Sequence, residues 1–328
     1  MKAIQTADLS SIDNYVPVDM PAPQPGEGEV RIKIAACGVG FVDALVALGR
    51  YQVKPPLPHV PGSEIGGLVD ALGPGVTGYA TGERVLAQVR GGFAEYAIAS
   101  ARDISRVPDR MSLNQAAGFR VNYGTALHGL RDRAALKAGE TLLVIGAAGG
   151  VGLAAVQVGR LLGANVIGVA STEEKRAVVA EAGAGVTLDR NVDGWRDRLK
   201  AAAPNGIDVV FDPVSGPLLQ PAFRSLGWGG RYLVIGFAGG DIPALPVNLP
   251  LLKGAALVGV DYRQFGAVFE AGAAARELDE LLTWVSKGDL DVPVGKTFPF
   301  GRYREALEYA LSGNGAGKTI LVVDPSLV

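Results

Sequence analysis

The sequence predicts a two-domain α/β protein, with a β-rich first part followed by a doubly wound parallel sheet. Two patterns and one number carry that expectation. Before Asn122, short alternating strands stand among proline and glycine turns. After it, apolar strands alternate with helical periodicity, as expected of parallel strands joined by crossover helices. The number is the length, because 328 residues exceed what one hydrophobic core usually serves.

Each element has its own reason. Val30-Arg31-Ile32-Lys33-Ile34-Ala35 alternates with period two, a strand with one wet face. Prolines crowd 17–25 and 55–61, so loops are expected there. Strand 65–70 leads through Gly73-Pro74-Gly75 to a further strand at 82–86, which suggests a small barrel or sandwich. The rhythm then changes. An apolar run at 141–145 meets a glycine turn, after which Val151, Ala155, Val158 and Leu162 recur at helical spacing as far as Gly163. A second strand is expected at 165–170, a helix at about 172–181, and buried strands at 208–211 and 231–235. An amphipathic helix at 278–285, a last helix at 303–311 and a closing strand at 319–323 complete the chain, and this tail is expected to return to the first domain.

Composition narrows the function. At 48% hydrophobic and 20% charged the chain is globular, and a net charge of −2 disfavours a nucleic-acid partner held by bulk electrostatics. One cysteine, Cys37, excludes an intrachain disulfide and an all-cysteine zinc site, and two histidines, His59 and His128, make a histidine-rich metal centre unexpected. Mean hydropathy is +0.24 and residues 141–159 carry no charge. Gly146, Gly149, Gly150 and Gly152 nevertheless interrupt that stretch, which disfavours a membrane span. The opening residues lack an apolar targeting core, so a cytoplasmic protein is expected.

Gly146-Ala147-Ala148-Gly149-Gly150-Val151-Gly152 lies between an expected strand and an expected helix. A pyrophosphate must approach backbone N–H groups and the positive end of a helix closely, and side chains at these positions would block it. A dinucleotide is therefore expected here. An NAD-preferring site usually ends its second strand with Asp or Glu to hold the ribose diol. Here the strand runs into Ala170-Ser171-Thr172, with Lys175 and Arg176 just beyond. Ser171 can donate to a 2′-phosphate and Lys175 can neutralise it, which favours NADPH. The alternative is that Lys175 and Arg176 belong to an ordinary solvated helix face.

These residues resemble the medium-chain dehydrogenase/reductase superfamily, in particular its zinc-free quinone oxidoreductase branch, zeta-crystallin-like, over nearly the whole chain. The resemblance rests on Ala36-Cys-Gly-Val-Gly-Phe-Val-Asp43, Gly49-Arg-Tyr51, Pro58-His-Val-Pro-Gly-Ser-Glu64, Tyr123-Gly-Thr-Ala126, the glycine loop, Phe211-Asp-Pro-Val-Ser-Gly216 and Gly317-Lys-Thr-Ile-Leu321. It implies a GroES-like catalytic domain, 1–122 and 264–328, interrupted by a Rossmann NADP-binding domain, 123–263. It also implies cofactor contacts at Thr125, Gly146, Ala147, Ala148, Gly149, Gly150, Val151, Ser171, Lys175, Arg190, Gly236, Phe237 and Asn248. Tyr51, at the family's substrate-side tyrosine, is the first candidate to hydrogen-bond a substrate carbonyl, and Tyr262 the second.

Zinc alcohol dehydrogenases of this superfamily place a ligand Cys and a ligand His where this chain has Gly40 and Ser63, so no metal is expected. Cys37 reads as a small buried apolar residue, and His59 and His128 as structural or solvated. There is no Tyr-x-x-x-Lys, the acid–base pair of short-chain dehydrogenases. The sequence also departs from the branch: Gly40 replaces a usual Asn, Arg190 a frequent Tyr, and Gly259-Val-Asp-Tyr-Arg263 a usual Trp-Gly. The expected activity is hydride transfer from NADPH to a quinone or related conjugated carbonyl. An enoyl-thioester or alkenal reductase and a non-catalytic NADPH-binding protein are the alternatives. Relatives often pair through the Rossmann sheet edge, so a homodimer is expected.

Overall fold

The computed structural model describes residues 1–190 and 193–328, which divide into two units, 1–121 with 278–328, and 122–277. The return crossing falls inside the helix Ala271–Lys287, later in the chain than the expected 263/264. That helix starts before the expected 278 because Ala271, Ala273, Ala274 and Ala275 are strong helix formers, and buried Ala274 carries the apolar stripe back one turn from Leu278.

The first unit is built on a mixed sheet. Its strands are β3 (Glu29–Val39), β4 (Glu64–Leu72), β5 (Arg84–Gln88), β6 (Tyr96–Ser100), β7 (Ile104–Arg106), β14 (Val294–Pro299) and β15 (Lys318–Val322), and a separate hairpin joins β1 (Lys2–Gln5) to β2 (Val16–Asp19). The sheet order is β14-β15-β3-β4-β5-β7, with β6 also on β3. β15 runs antiparallel to β3, with Thr319 opposite Val39 and Leu321 opposite Cys37, so the end of the chain is part of the first unit's sheet. Ile32, Ile34, Ile65, Val85, Phe93, Leu307 and Leu321 share its core. Tyr15 is buried there and donates to the Ala47 carbonyl at 2.9 Å, while Tyr303 donates to the Tyr15 carbonyl at 2.7 Å.

The second unit is a six-stranded parallel sheet: β8 (Thr141–Ile145), β9 (Asn165–Ala170), β10 (Val186–Asp189), β11 (Ile207–Asp212), β12 (Leu226–Val234) and β13 (Ala256–Gly259). Its order is β10-β9-β8-β11-β12-β13, so successive connections depart in opposite directions from β8. Ligands of such sheets bind beyond the carboxyl ends of the strands where the order reverses, which here is the turn after Ile145. Leu143, Ile145, Val169, Val210, Phe223 and Tyr232 form the core. The helix Gly150–Leu161 is buried from Gly152 to Gly159, which explains why residues 141–159 are so apolar without crossing a bilayer. Among the described residues no helix is long and apolar enough to cross a membrane.

Candidate functional site

The strand Thr141–Ile145 ends in Gly146, whose φ of +63° is a conformation that side-chain-bearing residues rarely adopt. The turn is fixed by Ala147 N–H donating to the Val169 carbonyl at 3.0 Å and Gly149 N–H to the Gly146 carbonyl at 3.0 Å. Gly149 is the N-cap of the following helix, with no side chain closing its first turn. The orphan N–H groups there, with the helix dipole behind them, favour an anion. Ala147 and Ala148 are buried, whereas Gly149, Gly150 and Val151 are half-buried.

The loop's glycines have different reasons. A Cβ on Gly152 would lie 2.3 Å from the Gly146 oxygen and 2.8 Å from Ala147 Cα, so the helix packs directly on the turn. A Cβ on Gly150 would meet the Asn122 amide at 2.6 Å. A Cβ on Gly149 would find only the Gly146 oxygen, at 3.5 Å. Packing thus demands glycine at 152 and leaves 149 free for another requirement.

At the end of β9, half-buried Ser171 precedes Thr172, which caps the helix Glu173–Glu181 by accepting the Lys175 N–H at 3.3 Å. Lys175 is half-buried, and its ammonium pKa is pulled down by burial first and by the Arg190 charge second. Lys175 and Arg190 therefore share one locale, on β9's helix and at the end of β10. Arg176 does not join them: it pairs with Asp189 at 2.9 Å, tying the helix to β10.

Beyond β11, Asp212 is fully buried and accepts N–H bonds from Val214 and Ser215, both at 2.8 Å, and the hydroxyl of Tyr232. Burial raises the Asp212 pKa, with Tyr232 and the two amides partly offsetting it. This cradle holds Ser215 at φ +58°, and the Ser215 hydroxyl donates to the Gly236 carbonyl at 3.2 Å. Ala238 and Gly239 N–H groups bond back to Pro213 and Val214. The loop carrying Gly236 and Phe237 is thereby set beside the β11 turn. Asn248 is exposed at the start of the helix Asn248–Lys253.

The remaining candidates are placed as follows. Thr125 is buried on the helix Arg120–Leu127, where Tyr123 donates to Gln157 at 2.7 Å. Tyr262 lies against the same helix, since a Cβ on Gly124 would come within 2.2 Å of its hydroxyl oxygen, and its ring joins His128 and Phe265. Tyr51 is half-buried in the loop after the helix Phe41–Ala47. A groove of about 800 Å³ lined by Trp195, Lys200, Arg224 and Trp228 sits at the amino ends of β11 and β12, the end of the sheet away from the glycine turn.

Comparison with known proteins decides the family. Residues 26–109 match the alcohol dehydrogenase GroES-like domain family and residues 150–280 the zinc-binding dehydrogenase family. The human quinone oxidoreductase is 32% identical over 317 residues, covering 93% of this chain and 92% of that protein. The chain belongs to the medium-chain dehydrogenase/reductase superfamily, in its quinone oxidoreductase branch. A quinone oxidoreductase-like protein 2 homolog of Nematostella vectensis is 35% identical, covering 90% of this chain and 82% of that protein. A mycobacterial protein solved in complex with NADPH superposes with a TM-score of 0.90 at 31% identity, covering 98% of this chain and all of that one.

The superfamily raises two questions of fit. A dinucleotide fits: the open position at Gly149, the free helix terminus and the Lys175–Arg190 locale suit a pyrophosphate and a further phosphate. A zinc ion does not fit at the superfamily's position. Gly40 has no side chain, and the Ser63 hydroxyl is donated to Asp43 at 2.7 Å. Elsewhere among the described residues, His128, Asp132 and Glu277 each bring a possible ligand atom within 4.8 Å of the others. There Arg131 pairs with Asp132 at 2.9 Å and Glu277 at 3.3 Å, His128 Nδ1 lies 3.1 Å from Asp132, and the His128 ring stacks on Phe265. His128 is buried within that knot of charge pairs and ring contacts. His59 pairs its backbone with Thr6 at 2.8 and 2.9 Å. Asp212 stands in the 211–216 motif and Tyr232 in the expected 231–235 strand, but the sequence alone assigns neither a role, although an Asp-Pro at a strand end is a recognisable turn signal.

Proposed function

We propose that the protein is an NADPH-dependent reductase of quinones or related conjugated carbonyls that works without a metal. The observation that carries this is the pairing of an open glycine turn at the switch point with the cationic locale of Lys175 and Arg190. The human relative bears the name quinone oxidoreductase and the mycobacterial relative was solved with NADPH. When bound, NADPH supplies a hydride to an acceptor that is already electrophilic; the accompanying proton comes from solvent, giving NADP⁺ and the reduced acceptor. The chain's own contribution is binding and orientation. The backbone at 146–151 receives the pyrophosphate. Ser171, Lys175 and Arg190 receive the 2′-phosphate. The Asp212 cradle holds the Gly236–Phe237 loop in the shape needed beside the nicotinamide, and Thr125 and Asn248 complete the contacts. Tyr51 donates to the substrate carbonyl. Tyr262 is the weaker candidate, since its ring packs with His128 and Phe265 and its hydroxyl end lies close against the helix at Gly124.

A second copy of the chain is the proposed partner. β13 is an edge strand, and Trp228, Val247, Leu251, Leu252 and Leu257 are exposed around it. An apolar edge of this kind is an invitation to pairing.

The test is NADPH oxidation with ortho- and para-quinones, enones and enoyl-CoA esters as acceptors. Turnover of quinones above the others supports the proposal. Preference for thioesters over every quinone replaces it with double-bond reduction, and oxidation by no acceptor replaces it with a binding role.

A further inference from the structure

The buried charges of the first unit converge where the superfamily's zinc enzymes hold their metal. Lys318 at the start of β15, Glu64 at the start of β4 and Asp43 in the helix Phe41–Ala47 are each at least nine-tenths buried as side chains. The Lys318 Nζ lies 3.4 Å from Glu64 and 3.9 Å from Asp43. Asp43 in turn accepts the Gly40 N–H at 2.8 Å and the Ser63 hydroxyl at 2.7 Å, the two positions where zinc ligands would stand. Glu64 accepts the Val121 N–H at 2.9 Å.

Glycines make room for this lysine along its whole length. A Cβ on Gly118 would lie 2.9 Å from Lys318 Cγ, one on Gly38 2.9 Å from Cε, and one on Gly40 3.0 Å from Nζ. Thus the position that carries a ligand cysteine in the zinc enzymes faces the ammonium itself. Burial works against the Lys318 charge, but Glu64 and Asp43 together outweigh it and hold its pKa above the ordinary lysine range.

We propose that Lys318 is the resident cation of this pocket: its fixed ammonium takes the place of a metal ion, neutralises Asp43 and Glu64, and keeps the pocket closed to divalent metals. Lys318 is a positioning residue, acting through Asp43 on Gly40 and Ser63. The proposal deepens the metal-free reading of the function and rests on it, but its readouts are metal content and ammonium chemistry. Its failure is therefore distinguishable from a failure to reduce quinones.

The experiment rebuilds the ligands with and without the lysine. Gly40→Cys/Ser63→His and Gly40→Cys/Ser63→His/Lys318→Ala are titrated with Co²⁺, reading the thiolate-to-cobalt absorption and bound metal per chain. The triple variant is expected to bind at least about ten-fold more tightly than the double variant, the scale on which neighbouring groups alter metal affinity. Equal binding by the two overturns the proposal. The unaltered protein supplies the second measurement, independent of whether the variants fold. Nitrogen-15 NMR is expected to show Lys318 as a charged, slowly exchanging ammonium at neutral pH, assigned by its loss in Lys318→Arg. A neutral or freely exchanging amine overturns the proposal as well.

Discussion

Gly149→Ala and Gly152→Ala separate a glycine kept for a ligand from a glycine kept for packing. At position 152 the new methyl would sit 2.3 Å from the Gly146 carbonyl oxygen, against the 3.0 Å that real Cβ atoms keep, so backbone must retreat by about 0.7 Å. Overpacking of this kind costs about 1–3 kcal/mol. For a folding unit of this size that is a fall in Tm of roughly 2–12 °C. At position 149 the nearest atom is 3.5 Å away and φ is −71°, which alanine adopts freely. Alanine is a poorer N-cap than glycine by roughly 0.5–1 kcal/mol, while the stiffer unfolded chain returns about 0.4–1 kcal/mol. Gly149→Ala should therefore melt like the parent protein. If the turn receives a pyrophosphate, its methyl nevertheless stands in the anion's path, and NADPH affinity should drop while Tm holds. Calorimetric titration of NADPH and thermal melting of both variants make the assay. Gly149→Ala binding NADPH as tightly as the parent would refute the placement of the pyrophosphate on this turn.

Four further outcomes are expected. Lys175→Ala should weaken NADPH binding by about 1.5–3 kcal/mol, roughly 12- to 160-fold, the value of a charge-assisted contact; NADH binding should be unchanged, and an equal loss for both cofactors would remove the lysine from the 2′-phosphate. Tyr51→Phe should lower kcat/KM for a quinone by about 2- to 12-fold, the worth of one neutral hydrogen bond, with NADPH affinity intact. Asp324 has its carboxyl held down to about 2, by its bond to Lys33 first and by Ser326 next. Its folded pKa lies below the ordinary 3.8, so its contribution to stability is present above about pH 4 and is lost as pH falls toward 2. Denaturant melts of Asp324→Asn and the parent should therefore converge across that window. With a second copy pairing at the β13 edge as proposed, Leu251→Glu/Leu252→Glu should lower the mass measured by light scattering from two chains to one; a mass equal to the parent's would remove this edge as the pairing surface.

What the sequence disclosed follows from the range of the physics involved. β8, from Thr141 to Ile145, and β9, from Asn165 to Ala170, were legible to the residue because a buried parallel strand is a continuous apolar run bounded by turns. The helix after Gly149 was legible because glycines interrupt the run where the period changes. β12 was less so. It starts at Leu226, five residues before the expected 231: Leu226 pairs with Ile207, the register then breaks across Gly227, Trp228, Gly229 and Gly230, and regular pairing with β11 resumes at Arg231. Composition reports side-chain burial, and an exposed strand end has little of it. Likewise Lys175 and Arg176 are adjacent and chemically alike, and only the three-dimensional arrangement assigns Arg176 to Asp189 and Lys175 to the neighbourhood of Arg190.

The charged residues show the same limit in the opposite sense. Gly40 and Ser63 could be read as positions unable to hold zinc, but nothing local to either motif says what compensates Asp43 and Glu64 in their place. The compensation comes from Lys318, far along the chain, delivered by the pairing of Thr319 with Val39 and Leu321 with Cys37. In the motif Gly317-Lys-Thr-Ile-Leu321 that lysine looks like an ordinary strand terminus, since Lys is seldom buried unless paired. Once β15 is laid against β3, the side chain runs inward past Gly118 and Gly38 to Gly40. Removing it would leave two carboxylates buried without a counter-charge, which is far more costly than never having buried a pair at all. A pocket of this kind changes its cation only if ligand and counter-charge change together, and a single substitution toward zinc, Gly40→Cys or Ser63→His alone, meets an ammonium already in place.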